Sequence, residues 1–205
     1  WVAADLAAGS SPFQTTAERT ADGAGEPHDL VTCSYMIGEL PDAHRLDLVR
    51  TLWSITVDTL VLIEPGTPAG AARIAQARSE LLARGGHTIA PCPHDLACPL
   101  AADDWCHFAQ RVARSRLHRL VKASELPYED EKFSFAALAK APQPVAHYAR
   151  VIRHPQSRKG HIRLELCKPE GLASEVVSRK EKARFRFARD ARWGSTLPLG
   201  PPGRS

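Results

Sequence analysis

Three of the five cysteines in this 205-residue chain lie within fifteen residues of one another. Cys92 is followed after five residues by Cys98, and after seven more by Cys106, whereas Cys167 comes sixty residues later. Proline follows both Cys92 and Cys98, which restricts the backbone there and disfavours a helix. Thiolates are ligands for zinc, copper(I) and iron–sulfur clusters. The pattern therefore predicts a metal centre held by these four cysteines.

The spacing distinguishes between two kinds of metal centre. Structural zinc sites usually contain two cysteines about two to four residues apart, and this chain has no such pair. An iron–sulfur cluster is larger than one ion, so wider spacing suits it. We expect a cluster, with zinc as the alternative. His94 and His107 are alternative ligands, but hydrogen-bonding roles suit them better while four cysteines are available. Cys33 lies in an apolar run, and we expect it to be buried.

Charge is divided unequally along the chain. Residues 1–106 carry 6 Lys and Arg against 14 Asp and Glu, a net charge of −8, whereas residues 107–205 carry 21 against 9, a net charge of +12. A basic region of this size suggests a polyanionic partner, and nucleic acid is the first candidate.

No apolar run reaches the ~18 residues that span a membrane. The odd cysteine number, without secretory context, indicates a reducing compartment.

The basic residues concentrate on two predicted elements. Alternating residues predict strands at 148–153 and 161–167, joined by a basic hairpin loop at 154–160. A basic helix is expected at 179–193. Lys and Arg side chains on these elements would neutralise phosphates. The predicted RNA contacts are Arg150, Arg153, Arg158, Lys159, Arg163, Arg184, Arg186, Arg189 and Arg192.

The residues before the cysteines alternate between strand and helix patterns. Buried strands are predicted at 29–37 and 58–66, the second ending in a turn, and helices at 43–54 and 69–84. This order predicts an α/β unit with parallel strands. Because ligands of such sheets bind at the carboxyl ends of the strands, the candidate cofactor contacts are Ser34, Tyr35, Glu39, Glu64, Pro65 and Gly66. Further along, an arginine-rich helix is expected at 105–120.

Several separated motifs resemble one known family. Cys92-Pro-His-Asp, Cys98-Pro-Leu, Trp105-Cys106-His-Phe-Ala-Gln-Arg111 and Leu126-Pro-Tyr-Glu-Asp-Glu-Lys-Phe-Ser134 are similar, in this order, to segments of the methyltransferase-like ribosomal small-subunit proteins of bacteria and mitochondria. Residues 34–41 and 62–68 resemble that family's fourth and fifth strands. The resemblance implies an S-adenosylmethionine (SAM)-type Rossmann fold, a [4Fe–4S] cluster on the four cysteines, and contact with ribosomal RNA. It also implies action in small-subunit assembly and translation, in the bacterial cytoplasm or the mitochondrial matrix.

The resemblance also divides the chain into regions. Residues 1–90 would be a partial Rossmann-like methyltransferase domain, residues 91–194 the cysteine cluster and basic RNA-binding region, and residues 195–205 a disordered tail. The family's glycine-rich SAM loop is expected before Trp1, since no G-x-G-x-x-G occurs here and Gly23-Ala24-Gly25 lies in a polar loop. We therefore expect the C-terminal part of a longer protein, or a truncated gene product, with SAM binding confined to the full-length protein.

Three functions follow from these observations. The favoured one is a ribosomal small-subunit assembly and translation factor that binds rRNA on a methyltransferase-like fold with a [4Fe–4S] cluster. The alternatives are an active SAM-dependent rRNA methyltransferase and a structural zinc-binding module. Residues 34–40 lack the Asn/Asp-Pro-Pro-aromatic motif of amino-methylating enzymes, and no cysteine pair resembles that of cytosine-carbon methyltransferases. No catalytic residue is therefore assigned.

Overall fold

A computed structural model describes residues 26–101, 103–115, 119, 121, 126–144 and 146–199. These residues form two β-sheets with helices packed on them. The polar loop with Gly23-Ala24-Gly25 lies outside the described residues. In the part of the chain that is described, no helix is both long enough and apolar enough to cross a membrane.

The first sheet contains five strands and packs with two helices. In chain order its elements are β1 (His28–Ser34), α1 (Asp42–Ile55), β2 (Thr56–Pro65), α2 (Pro68–Ala83), β3 (His87–Ala90), β4 (Phe108–Ala113) and β5 (Tyr128–Ala139). The strands lie in the order β1, β2, β5, β3, and β4 follows β3 along the same side of β5. The two predicted strands and two predicted helices of this region are all present.

The first sheet is mixed, because β5 runs against its neighbours. β1 and β2 are parallel, as the sequence predicted, and β1 is connected to β2 through α1. β5 is antiparallel to β2, β3 and β4. The prediction of parallel strands concerned β1 and β2, and it is confirmed for that pair.

The core of this half lies between the sheet and its helices. Leu48, Val49 and Leu52 on α1 recur at helical spacing and pack with Leu60 and Leu62 of β2. Burial of such side chains stabilises the fold by about 1.5–3 kcal/mol each. Helix α2 contributes to the same core, which also includes the buried end of β5. The carboxyl ends of β1 and β2 are thereby fixed at one edge.

The prediction of an arginine-rich helix at 105–120 is wrong for the first half of that range. Residues 108–113 form β4, which pairs along its length with residues 128–133 of β5. Arg111 donates from Nε and Nη2 to Asp130 at 2.8 and 3.0 Å across the two strands, and Arg114 contacts Glu129. Acidic partners on the neighbouring strand stabilise an extended conformation, since opposite charges across a pair are favourable.

The second sheet is antiparallel throughout. Its elements are β6 (Tyr148–Val151), β7 (Gln156–Arg158), β8 (His161–Lys168), β9 (Gly171–Ser178), α3 (Lys182–Asp190) and β10 (Thr196–Pro198). β8 is central: β6 and β7 pair with its two ends on one side, and β9 pairs on the other. Its buried residues, with those of the neighbouring strands and Ala188 of α3, make a second hydrophobic core.

Two sequence predictions for this half need correction. The tail at 195–205 was expected to be disordered, but β10 pairs with β6 and buries Leu197 in the second core. Residues 200–205 lie outside the described residues. The basic hairpin loop at 154–160 contains strand β7, so the true turn is Lys159-Gly160, where Gly160 has a φ of +84°. The basic helix begins as a 3₁₀ turn and ends at Asp190.

Gly70 permits the close approach of α2 to the end of β2. An added Cβ at this position would lie 1.9 Å from the carbonyl oxygen of Pro65, well inside van der Waals contact. The Gly70 amide also donates to the Thr67 hydroxyl at 3.1 Å, which caps the helix. The start of α2 is thus fixed directly against the strand that precedes it.

We predict that Gly70→Ala destabilises the protein by about 1–3 kcal/mol through steric overlap. Alanine would otherwise stabilise a helix by about 1 kcal/mol relative to glycine. Urea unfolding of the full chain measures the difference, and Ala72→Gly at an exposed position of α2 calibrates the propensity effect. A Gly70→Ala protein as stable as the parent would contradict the close approach.

Candidate metal centre

The cysteines that could bind metal are positioned by both sheets. Cys92 follows β3, and Cys106 lies two residues before β4 in the first sheet. Cys98 lies between them in irregular structure. Cys167 is in β8 of the second sheet, paired with Arg150 of β6. Residues 91–107, called the cysteine segment below, therefore face a cysteine from the other half of the protein.

Arg78 of α2 holds the first part of the cysteine segment. Its side chain is almost completely buried, with only 5% of the residue exposed. Nη1 donates to the carbonyl of Leu96 at 2.9 Å, Nη2 to that of His94 at 2.6 Å, and Nε to the Thr88 hydroxyl at 3.2 Å. Asp95 accepts from the Thr88 amide at 2.7 Å. One guanidinium thus satisfies carbonyls that the irregular backbone leaves without partners.

Arg150 of β6 ties the same segment to the second sheet. Its Nε donates to the carbonyl of Pro91 at 3.1 Å and its Nη1 to that of Gly194 at 2.8 Å. Arg153 makes a further link, since it contacts the carboxylate of Asp104. The Cys167 thiol lies 3.4 Å from Nε2 of His94. These contacts place β6 and β8 directly against the cysteine segment.

The last part of the segment is fixed to the first sheet. The Trp105 indole donates to the carbonyl of Gly66, directly after β2, at 3.1 Å. The Ser134 hydroxyl, buried in β5, donates to the carbonyl of Cys106 at 2.7 Å. Cys106 is therefore held next to the centre of the sheet.

Three of the four predicted ligands line one cavity, and the fourth lies close to Cys92. Cys92, Cys98 and Cys106 line a cavity of about 430 Å³ between α2 and the cysteine segment. The Cys167 thiol lies close enough to that of Cys92 for each to shift the pKa of the other. Within the described ranges, no three His, Cys, Asp or Glu side chains are grouped as a single metal ion would require. Cys33 is buried in the first core, as expected.

The environment makes the thiols unequal in acidity. The pKa of Cys92 is lowered to about 7, first by the hydrogen bond with Cys167 and then by the charges of Arg78 and Arg150, against the effect of burial. Burial, with the nearby Cys92 and Cys98, raises the pKa of Cys106 to about 12. The pKa of Cys167 is also raised, first by its hydrogen bond with Cys92. Cys92 is the thiol of this pair that ionises first.

Two histidines beside the cysteines have a ring nitrogen in need of a partner. Nδ1 of His94 and Nδ1 of His107 are buried, and neither has a hydrogen-bond partner within the described part of the chain. Burial lowers the pKa of both rings, so both are neutral at pH 7. His107 packs between the rings of Trp105 and Trp193, at centroid distances of 5.5 and 4.6 Å.

The predicted cofactor contacts meet at the carboxyl ends of β1 and β2, but Glu64 is already engaged. It is fully buried, forms an ion pair with Arg73 at 2.7 Å, and accepts from the amide of Ile37 at 3.0 Å. Gly66 lies against β5, where an added Cβ would be 2.8 Å from the Lys132 backbone. Pro65 pairs with Phe133 in the same sheet. Glu64, Pro65 and Gly66 thus have structural contacts.

Ser34, Tyr35 and Glu39 are the exposed members of that predicted set. Tyr35 has a φ of +55°, and its amide donates to the carbonyl of Ile63 at 2.8 Å. Its hydroxyl lies 3.4 Å from the Glu131 carboxylate. A role for these three residues in cofactor binding remains a prediction.

The predicted RNA contacts fall into two groups. Five are engaged within the protein: Arg150 and Arg153 as above, Arg163 with Glu165, Arg184 with Glu175 and Glu181, and Arg189 with Asp190. The other four are exposed, and no ion pair links them to any residue that the structure describes; they are Arg158, Lys159, Arg186 and Arg192. The predicted set thus divides into arginines with partners inside the protein and cations without an ion pair among the described residues.

Sequence reasoning missed Arg78, although a signal was present. Arg78 follows Ile74 by four residues and precedes Leu81 by three, so it lies on the buried stripe of α2. An arginine on an apolar stripe needs a buried partner. Here the partners are carbonyls of the cysteine segment, which the sequence pattern could not identify.

We predict that Arg78→Lys releases residues 92–98, because one ammonium cannot reproduce the three bonds of the guanidinium. Each carbonyl left unpaired costs about 1–3 kcal/mol. Hydrogen exchange of residues 88–98 should accelerate by at least about tenfold. Arg84→Lys, at the exposed end of the same helix, is the matched control and should leave this exchange unchanged. Unaltered exchange in Arg78→Lys would contradict the anchoring role.

Comparison with known proteins bears on the resemblance inferred from the motifs. The family described as "Mitochondrial small ribosomal subunit Rsm22" matches residues 7–198. "Ribosome assembly protein METTL17, mitochondrial" from Homo sapiens is 34% identical over 188 residues, covering 85% of this chain and 40% of that protein. "Rsm22-cox11 tandem protein 2, mitochondrial" from Schizosaccharomyces pombe is 27% identical over 231 residues, covering 90% and 31%. The chain thus spans less than half the length of these relatives. It belongs to the Rsm22 family of mitochondrial small ribosomal subunit proteins.

Proposed function

We propose that this protein is an assembly and translation factor for the small ribosomal subunit that binds rRNA and holds a [4Fe–4S] cluster. The ligands would be Cys92, Cys98, Cys106 and Cys167. The observation that supports this proposal is that Cys92, Cys98 and Cys106 line one cavity, with Cys167 of the second sheet close enough to Cys92 to shift its pKa. The name of the human relative, a ribosome assembly protein, supports the assembly role.

The residues around the cysteines suit an iron–sulfur cluster. Four thiolates add negative charge to a partly buried site, and the guanidinium groups of Arg78 and Arg150 act on Cys92 with the opposite charge. Unpartnered nitrogens of His94 and His107 provide polar groups beside the site. When bound, the cluster supplies coordination bonds that join all four cysteines.

The role that follows for these residues is structural. Cys167 lies on β8, whereas Cys92, Cys98 and Cys106 belong to the cysteine segment against the first sheet. Ligation of all four would hold the basic second sheet in a fixed position relative to the first. Arg150 and Arg153 already contribute hydrogen bonds across the same junction.

Exposed basic residues support the rRNA part of the proposal. Arg158, Lys159, Arg186 and Arg192 are on or beside β7 and α3, where phosphates can reach them. The names of the relatives include the word mitochondrial. We therefore place the activity where a bacterial-type ribosome is assembled, in the mitochondrial matrix or, for a bacterial member, the cytoplasm.

The first sheet supports a methyltransferase-like origin. β1, β2 and β3 run in one direction, and one antiparallel strand lies between β2 and β3. We interpret this as the C-terminal part of a Rossmann-like SAM-methyltransferase sheet. Active methyl transfer to rRNA is the alternative, with SAM bound by the full-length protein near Ser34, Tyr35 and Glu39. Calorimetric titration of the full-length protein with SAM separates the two functions.

One prediction of the proposed function concerns the cluster. Protein purified anaerobically should show a broad absorption band near ~400 nm and about four iron atoms per chain. Cys106→Ser should remove most of the iron and the band, and should increase proteolysis within residues 91–170. Cys33→Ala is the matched control, because Cys33 is buried in the other core. A colourless parent protein that contains zinc and no iron would contradict the cluster and support a structural zinc module.

Another prediction of the proposed function concerns electrostatic binding to RNA. Arg158→Gln should lower the slope of log affinity against log salt concentration by about 0.7–0.9, because one phosphate contact is lost. Fluorescence anisotropy with a fragment of small-subunit rRNA measures this slope. Arg84→Gln, an equal change of charge directly after α2, should leave this slope unaltered. Equal slopes for the parent and Arg158→Gln would exclude β7 from the RNA surface.

A further inference from the structure

A second cavity lies between the two sheets, apart from the cavity at the cysteines. Its volume is about 890 Å³. One wall comes from β4 and β5 and carries Phe108, Phe133 and Phe135. The opposite wall comes from the end of α3 and the residues after it, and carries Arg189, Arg192 and Trp193. This space, called the interdomain groove below, has one aromatic wall and one basic wall.

The aromatic wall is built from three rings in mutual contact. Phe133 lies 5.8 Å from Phe135 and 6.2 Å from Phe108, measured between ring centroids. Phe108 is buried, whereas Phe133 and Phe135 are half-buried, and all three line the groove. Ring faces at the edge of a groove provide stacking surface for flat aromatic ligands.

The charge of the groove is positive. Four arginines line it, Arg111, Arg150, Arg189 and Arg192, against the single carboxylate of Asp130. Arg111 is paired with Asp130, but more than half of its side chain is exposed, and the same holds for Arg189 beside Asp190. Arg192 is exposed and has no ion pair among the residues described. An anionic ligand is favoured over a neutral one.

We propose that the interdomain groove binds a single-stranded segment of RNA, with unpaired bases on the phenylalanine wall and phosphates toward the arginines. This inference rests on the proposed rRNA-binding function and defines the kind of RNA that is recognised. The faces of bases in a duplex are covered by their neighbours, so only unpaired bases can stack on a protein ring. The volume of the groove is that of a small-ligand site and suits a few nucleotides.

The polar side chains of the groove fit this ligand. Gln110 of β4 and Ser157 of β7 lie along the lining, and both side chains can donate to and accept from base edges. His154 lies beside Trp193, with ring centroids 5.0 Å apart. The groove therefore offers hydrogen bonding to bases as well as stacking and charge.

The test compares a labelled oligouridine of about ten nucleotides with the same strand annealed to oligoadenosine. The full chain with its metal centre bound is used, and affinity is measured by anisotropy. Single-stranded RNA should bind at least about tenfold more tightly than the duplex. Phe133→Leu should weaken single-strand binding by about fivefold to tenfold. Phe187→Leu is the matched control, since Phe187 is exposed on α3 outside the groove.

Photo-crosslinking of the unaltered protein to a 4-thiouridine strand provides a measurement that does not depend on a variant folding. Crosslinks should map to peptides containing Phe133 or Trp193. Equal affinity for both RNAs, with crosslinks outside these peptides, would contradict single-strand binding in the groove and leave the rRNA-binding function intact. Binding of neither RNA would contradict both single-strand binding in the groove and the rRNA-binding function.

Discussion

The hydrogen bonds of two arginines to the backbone of the cysteine segment determine how the two halves of the protein meet. Arg78 reaches the segment from α2, and Arg150 reaches it from β6. A chain without regular structure leaves carbonyls that need donors, and a guanidinium can donate to several of them in one plane. Because α2 packs on the first sheet and β6 belongs to the second, the segment joins the two halves. The position of Cys167 opposite Cys92 follows from that joint.

Strand β5 has a comparable effect within the first half. It enters between β2 and β3 against their direction and carries Ser134 to the carbonyl of Cys106. The same strand presents Phe133 and Phe135 to the interdomain groove. One antiparallel strand thus contributes to the candidate metal centre and to the candidate RNA site. The two sites share a scaffold, although their lining residues differ almost completely.

The distribution of charge has two consequences that the net value conceals. Some arginines stabilise the fold: Arg73 neutralises the buried Glu64, and Arg111 joins β4 to β5. Others, such as Arg158 and Arg186, remain exposed and can meet phosphates. Paired surface charges contribute little to long-range attraction, because their partners cancel their field. The unpaired residues are therefore expected to contribute most to the long-range attraction of RNA.

The sequence by itself determined the family, the four candidate ligands and most of the regular elements around them. Those features depend on local spacing: buried runs gave β1 and β2, and helical periodicity gave α1 and α2. Prediction from the sequence failed where the conformation depends on pairing between distant segments. Asp130 and Glu129 make residues 108–113 a strand, and β6 gives Leu197 a partner in a tail that lacks local structural signals.

Only the tertiary structure decided which charged residues face inward. Arg150 lies on an alternating strand and resembles a solvent-exposed cation in the sequence, yet it bonds to Pro91 and Gly194. Arg78 and Glu64 are likewise engaged by partners that are 16 and 9 residues away along the chain. A side chain's periodicity fixes the face on which it lies. What that face meets depends on how the sheets pack, and the sequence pattern of one element does not contain that information.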